Sequence, residues 1–106
     1  MSAFNTVVVR WPDSEGKQRD LRIQFKFGDT WQHEYRVGEE LRWGGNDIGP
    51  RDAKHVVVDG ALEGPPPAGL SEDFEVHVRN NVIDKVVPAS GDIDFVRAEA
   101  TYVVLE

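Results

Sequence analysis

The sequence predicts an all-β fold: a small single-domain barrel or sandwich of about seven to nine short antiparallel strands, with at most one short helical turn. Three observations predict it. Apolar residues recur with a period of two along most of the chain, as in strands with one buried face. Glycine, proline and asparagine interrupt these runs at short intervals. No segment keeps a helical period over about ten residues. The length fits a single β domain, 1–106.

Two strands are expected near the N-terminus. Residues 4–11 form a run rich in β-branched side chains, which favour strands. Residues 19–27 alternate, with leucine, isoleucine and two phenylalanines on one face and mostly charged or polar side chains on the other. This alternation predicts a half-buried strand with one wet side. Gly28 and Asp29 then favour a turn.

The next stretch also alternates. Residues 31–37 predict a strand antiparallel to 19–27, with Trp31 and His33 facing inward. A tight turn at 37–41 is expected to lead into a short strand that ends at Trp43.

The C-terminal half contains the most apolar strand. Consecutive valines in 55–62 predict a strand buried on both sides. The prolines of 64–69 predict a stiff loop, because proline fixes φ and lacks a backbone donor. Asn80 and Asn81 tolerate positive φ and suit a hairpin turn. Further strands are expected at 74–79, 82–88, 93–98 and 100–106, the last two as one bent strand or two short ones.

Composition narrows the class of protein. The chain has no cysteine, which excludes disulfides, thiolate metal sites and cysteine nucleophiles and favours a reducing compartment. The first residues lack the basic and apolar regions of a signal peptide, and no apolar run is long enough to cross a membrane. No phosphate-binding or dinucleotide motif is present, so no cofactor is expected. We therefore expect a cytoplasmic protein that does not associate with membranes.

Charge bears on the kind of partner. The net charge is −7, and it is uneven: residues 1–53 carry 8 basic and 9 acidic side chains, whereas residues 54–106 carry 4 and 10. An acidic chain repels nucleic-acid phosphates, which disfavours nucleic acid as a partner. The acidic half suits either solubility or a basic protein partner.

The segment 43–52, WGGNDIGPRD, has the composition of a recognition loop. Its candidate binding residues are Trp43, Gly44, Gly45, Asn46, Asp47 and Arg51. The glycines could clear space for a ligand over the indole, while the polar side chains supply hydrogen bonds. The same residues also suit a purely structural turn, because asparagine and aspartate cap turns through the main chain. Trp43 continues the apolar phase of Leu41, which predicts a core position.

Catalytic chemistry has little support. None of His33, His55 and His77 is spaced from another as a local metal pair, so no metal site is expected. His33 is a candidate titrating group or general base. Its neighbour Glu34 would point to the opposite face of a strand, which counts against a joint role. No serine occupies a nucleophile elbow, and no catalytic residue is assigned.

The favoured hypothesis is a small acidic module that binds another protein, for example an inhibitor or immunity-type protein that blocks a basic toxin or nuclease. The main competing hypothesis is a small-molecule or carbohydrate-binding β-barrel that uses residues 43–47, with Trp31 as a further ring. A hydrolase-like enzyme around His33 and a binder of single-stranded nucleic acid are less favoured. The nucleic-acid binder would use Arg22, Lys26 and the Arg42–Trp43 pair. The oligomeric state is left open.

Overall fold

The computed structural model describes residues 4–13, 15–95 and 101–106. These residues form nine strands, which occupy one curled, half-barrel sheet and one small second sheet. The strands are β1 (Asn5–Pro12), β2 (Gln18–Phe25), β3 (Gly28–Asp29), β4 (Glu34–Arg36), β5 (Asp47–Ile48), β6 (His55–Leu62), β7 (Asp73–Arg79), β8 (Val82–Pro88) and β9 (Tyr102–Val104). The large sheet has the order β4-β1-β2-β6-β7-β8, with β9 also paired to β6, and β3 pairs with β5.

The all-β prediction is confirmed. Strands β1 and β2 form a long antiparallel ladder from Asn5↔Phe25 to Pro12↔Gln18. Leu21, Ile23 and Phe25 are buried, as their alternation predicts, and Arg22 on the opposite face is exposed. The named strands pair in antiparallel fashion except for β1 and β4, which run parallel.

Strand β6 is the most enclosed element of the sheet. Its valines 56–58 are at most 1% exposed, so the predicted burial on both sides holds for the first half of the strand, whereas Asp59 and Ala61 in the second half are exposed. Strand β7 pairs along one edge of β6. The other edge is shared, because β2 pairs with 60–62 and β9 pairs with 56–58.

The turn between β7 and β8 is the predicted asparagine turn. Asn80 and Asn81 have φ angles of 51° and 68°, which asparagine tolerates better than most residues. The backbone nitrogen of Leu41 donates to the carbonyl of Asn81 at 2.7 Å, and Glu40 forms an isolated bridge with Val82. The segment before Leu41 therefore connects to the β7–β8 hairpin.

The prediction for residues 31–37 is wrong in extent and in pairing, and its inward facing fails at Trp31, although Tyr35 is buried as the alternation predicts. Of these residues, all of which the structure describes, only Glu34–Arg36 form a strand, and that strand pairs parallel to β1 rather than antiparallel to β2. Gln32 has a φ of 55°, which breaks the extended backbone. Trp31 is therefore exposed rather than buried, with 68% of its surface accessible.

Two other predicted strands are absent from the residues that the structure describes. Residues 41–43 form no strand, although Leu41 is buried as its phase suggests. Residues 93–95 form no strand, and 96–98 lie outside the described residues. The loop predicted at 64–69 is confirmed. Within the described residues, no helix is both long and apolar enough to cross a membrane.

The contribution of the core to the free energy of unfolding can be tested by a substitution at Phe74. It is fully buried among the apolar side chains of β1, β2, β6 and β8, and the ring of Trp11 meets it edge-on at 5.9 Å. We expect Phe74→Ala to lower the free energy of unfolding by about 3–5 kcal/mol, because it removes a buried ring and leaves a cavity. Leu105→Ala, at a residue that is 50% exposed, should change it by less than about 0.5 kcal/mol. Urea denaturation measures both; equal losses would contradict the burial of Phe74.

Candidate functional site

Two loops meet at one end of the molecule, and we call residues 28–33 and 43–49 together the paired-loop end. Strands β3 and β5 join them through the pairs Gly28↔Ile48 and Asp29↔Asp47. Two further backbone bonds fasten the loops: Asp29 N donates to Arg42 O at 2.9 Å, and Thr30 N donates to Asn46 O at 3.0 Å. The segment 43–49 is thus tied to the turn that follows β2.

The carboxylate of Asp29 lies between the two loops. Its Oδ1 accepts a hydrogen bond from Asn46 N at 2.8 Å, and its Oδ2 lies 3.0 Å from Nε2 of His33. The bond to His33 and then the bond from Asn46 lower the pKa of Asp29, since both stabilise the charged form. A β-carbon at Gly45 would lie 2.6 Å from Oδ1 of Asp29. Gly45 is therefore explained by the close approach of this carboxylate.

Side-chain amides and a hydroxyl complete the network. Asn5 is fully buried; its Oδ1 accepts from His33 N at 3.1 Å, and its Nδ2 donates to Phe27 O at 2.9 Å. Thr30, also fully buried, donates from Oγ1 to the Asn46 carbonyl at 2.8 Å and accepts from Nδ2 of Asn46 at 2.9 Å. Buried polar groups satisfied in this way hold a loop in one conformation.

The residues of WGGND have local structural roles. Asp47 Oδ1 accepts hydrogen bonds from the backbone nitrogens of Gly44 at 2.9 Å and Gly45 at 3.2 Å, so Asp47 caps the turn. Trp43 is half-buried, and its ring meets Phe27 edge-on at 5.5 Å. Its indole Nε1 is buried and meets no acceptor among the residues that the structure describes. Trp43 therefore packs on the core rather than facing solvent.

Trp31 is the exposed aromatic residue of the paired-loop end. Its neighbour Thr30 is anchored by the network, and the carbonyl of His33 accepts from Thr6 N at 2.9 Å. Between these fixed points, the positive φ of Gln32 turns the chain and leaves the indole in solvent. The sequence did not single out Trp31 as a primary site, because the alternation of 31–37 predicts it to be buried.

Of the other predicted site residues, His33 and Asn46 belong to the Asp29 network, whereas Arg51 lies outside it. His33 is half-buried against Asp29, a partner that sequence reasoning missed, although the two are four residues apart. Arg51 is exposed in a turn that follows β5. Asn46 is itself exposed, yet its side-chain amide is bonded to Thr30.

Arg22, on the exposed face of β2, is paired with two carboxylates. Arg22 Nη1 lies 2.6 Å from Oε1 of Glu34, and its Nε lies 3.5 Å from Oε2 of Glu63. The hydrogen bond to Glu34 is the largest cause that raises the pKa of this guanidinium. A face whose arginine is already paired offers little attraction for phosphates, which weakens the case for single-stranded nucleic acid.

Two clefts in the surface share Asp59 as a lining residue. The first, of about 330 Å³, is lined by Asp59, Asp73, Ala89, Gly91, Ile93, Asp94 and Phe95. The second, of about 360 Å³, is lined by Phe4, Gln24, Phe25, Lys26, Asp59, Ala61 and Thr101. Burial and then the charge of Asp73 raise the pKa of Asp59. The first cleft is thus acidic with apolar walls.

Neither chemistry nor comparison supplies an identity. Among the described residues, no group of three histidine, aspartate or glutamate side chains is arranged to hold a metal ion. No protein-family model, curated protein or solved structure matches this chain. The geometry of the paired-loop end is therefore the main basis for a functional proposal.

The Asp29 network should make stability depend on pH. Because the folded pKa of Asp29 lies below its ordinary value of 3.8, its contribution is present above that value and is lost as the pH falls through the folded pKa. We expect Asp29→Asn to unfold at lower urea concentration at pH 7, with a deficit that shrinks as the pH falls below the ordinary value of 3.8. Asp20→Asn is the control, because it also removes a carboxylate, but an exposed one. That carboxylate lies 3.9 Å from Arg10 and 3.8 Å from Arg36, and exposed ion pairs of this kind contribute little to stability. A deficit independent of pH would contradict the role of the Asp29 charge.

Proposed function

We propose that this domain is a protein-binding module and that the paired-loop end is its contact surface. The observation that carries the proposal is Trp31, which is 68% exposed on a turn whose neighbours are fastened by hydrogen bonds. Tryptophan is enriched among the residues that dominate binding energy at protein interfaces. An indole this exposed on a small domain is most readily explained as an anchor for a partner.

The rigidity of the turn supports the same role. Binding costs free energy when flexible loops must be ordered, and a loop already fixed by Asp29, Thr30 and Asn5 avoids most of that cost. The indole is thus held in place before a partner arrives. This arrangement favours recognition of a preformed apolar pocket on the partner surface.

A small-molecule or carbohydrate ligand is the second candidate, because an exposed indole face can also stack on a sugar ring. The polar groups that would orient such a ligand are already engaged within the loop, since the Asn46 amide is bonded to Thr30 and the Asp47 carboxylate to the glycine nitrogens. Ligand sites need convergent polar groups for orientation. The arrangement therefore favours a protein partner.

Binding through Trp31 can be tested by affinity capture with three baits: wild type, Trp31→Ala and Leu105→Ala, each first shown to be folded. Leu105 is the matched control, because it is 50% exposed and lies near the C-terminus rather than in the loops. We expect a partner captured by wild type to be retained by Leu105→Ala. Its dissociation constant for Trp31→Ala should rise by about 30-fold, which corresponds to the roughly 2 kcal/mol of an interface hot spot.

The two tryptophan substitutions separate binding from folding. Trp31→Ala should leave the urea midpoint almost unchanged, whereas Trp43→Ala should destabilise the fold by about 2 kcal/mol or more, because Trp43 packs on Phe27. A partner held equally by wild type and Trp31→Ala would move the contact to another surface. Absence of any partner, together with a change in indole fluorescence on adding a sugar, would favour the second candidate.

The charge of the chain supports a basic partner, as an inhibitor or immunity-type role would require. The net charge is −7, and the exposed aspartates Asp73 and Asp94 line the first cleft. The negative electrostatic potential of such a chain speeds the approach of a positively charged protein, and salt screens this attraction. We expect the association rate with the captured partner to fall on the order of tenfold between about 50 and 300 mM salt. A rate that does not change with salt would exclude the basic partner, although it would leave binding through Trp31 intact.

A further inference from the structure

Two histidines far apart in the sequence contact each other on neighbouring strands of the large sheet. His55 Nε2, at the start of β6, lies 3.1 Å from Nδ1 of His77 in β7. His55 is 7% exposed, and the side chain of His77 is 13% exposed. Nε2 of His77 in turn lies 3.5 Å from Oε1 of Glu75, and the other oxygen of Glu75 accepts from N and Oγ of Ser90 at 3.2 Å each. A continuous polar chain therefore runs from Ser90 to His55.

The backbone of His55 also holds the C-terminal residues. Its carbonyl accepts from Leu105 N at 2.8 Å and from Glu106 N at 3.2 Å, and its nitrogen donates to Glu106 O at 3.1 Å. Lys54 N donates to the same Glu106 carbonyl at 2.7 Å. Strand β9 continues this attachment by pairing with β6 over Val56–Val58. The position of His55 and the docking of β9 are therefore linked.

The contact between the rings depends on how many protons they carry. When both are neutral, one ring nitrogen donates and the other accepts. A first added proton is accommodated, because a protonated His77 can donate from one nitrogen to Glu75 and from the other to His55. A second proton leaves His55 no lone pair to accept that bond, and two N–H groups then face each other. The hydrogen bond is lost, and two like charges lie side by side.

Charged groups lie near the two histidines on the neighbouring elements. Glu75 faces His77 on β7, and Lys85 of β8 is the register partner of His77. Arg79 lies across from His55 and is paired with Asp84 at 3.5 Å. Burial is the largest cause that lowers the pKa of His55; Arg79 and His77 add to this effect, whereas Glu106 and Asp84 oppose it. The second proton thus enters under acidic conditions.

We infer that the His55–His77 pair is an acid-sensitive attachment for the C-terminal strand: the second proton separates the two rings and releases β9 from β6 before the rest of the sheet unfolds. This inference is independent of the proposed binding function. It assigns a conformational role to two histidines that lie outside the paired-loop end. Release of β9 would uncover the edge of β6 at Val56–Val58, which is otherwise paired.

Amide hydrogen exchange, followed by NMR between about pH 7.5 and 4.5 and corrected for intrinsic rates, tests the inference. Leu105 and Glu106 report on the attachment, and Leu41 and Leu62, whose nitrogens bond to Asn81 and Glu72, report on the rest of the fold. Below the lower titration step of the pair, the protection of Leu105 and Glu106 should fall by about tenfold per pH unit. Protection of Leu41 and Leu62 should stay constant. Equal loss at all four amides would show global unfolding and overturn the inference.

Two variants locate the effect. His55→Phe keeps a ring at the site but cannot be protonated, so the protection of Leu105 and Glu106 should no longer depend on pH. His33→Gln is the matched control, because it removes a histidine outside the pair, and it should leave the pH dependence of the protection of Leu105 and Glu106 as in wild type. An unchanged pH dependence in His55→Phe would overturn the inference. If that variant does not fold, imidazole NMR of wild type decides: release of β9 must share its midpoint with the lower titration step of the pair.

Discussion

The valines of β6 are buried on both faces of the sheet, so this strand needs a cover on each side. On one face the cover is the apolar core of β1, β2, β7 and β8. The core cluster contains Val56 and Val58 but not Val57, which is nevertheless fully buried. Both edges of β6 are also paired, with β2 and β9 sharing one of them. The strand order therefore places β6 inside the sheet, with β2 and β9 on one side and β7 and β8 on the other.

The paired-loop end is stabilised differently. It has few apolar contacts of its own apart from Trp43 on Phe27, and it depends on a set of satisfied polar groups centred on Asp29. Such a network fixes geometry with little gain in burial. That property suits a surface that must present an exposed ring, because an apolar core at this position would draw Trp31 inward. The burial of β6 thus stabilises the domain, whereas Asp29 shapes the loops.

Period-two alternation predicted β2 and β7, and runs of β-branched side chains predicted β1 and β6, because each of these strands has a face that the core must cover. The same reasoning failed at 31–37, because a single residue, Gln32, adopts a left-handed conformation that side-chain hydrophobicity does not encode. The parallel pairing of β4 with β1 depends on the path of the chain in space and not on any local pattern.

The geometry of the candidate site is only partly visible in the sequence, for similar reasons. The composition of residues 43–47 marks a distinctive segment but fits a turn as well as a site, and only the positions of Asp29 and Asp47 show how the glycines are used. The contact between His55 and His77 follows from the register of β6 on β7, which sets His77 opposite Val57. A long loop between these strands hides that register from sequence reasoning.

The pairing of β9 with β6 has a consequence for synthesis of the protein. Residues 56–58 leave the ribosome well before residues 102–104, with which they must pair. During that interval the valine-rich edge of β6 has no partner at this end, and such edges attract other chains. The early formation of the β6–β7–β8 meander, with its asparagine turn, would shield the opposite edge first. Slow translation of the segment between β6 and β9 would prolong the time for which the edge of β6 at 56–58 has no partner. The yield of folded protein in cells should therefore depend on how quickly this segment is translated.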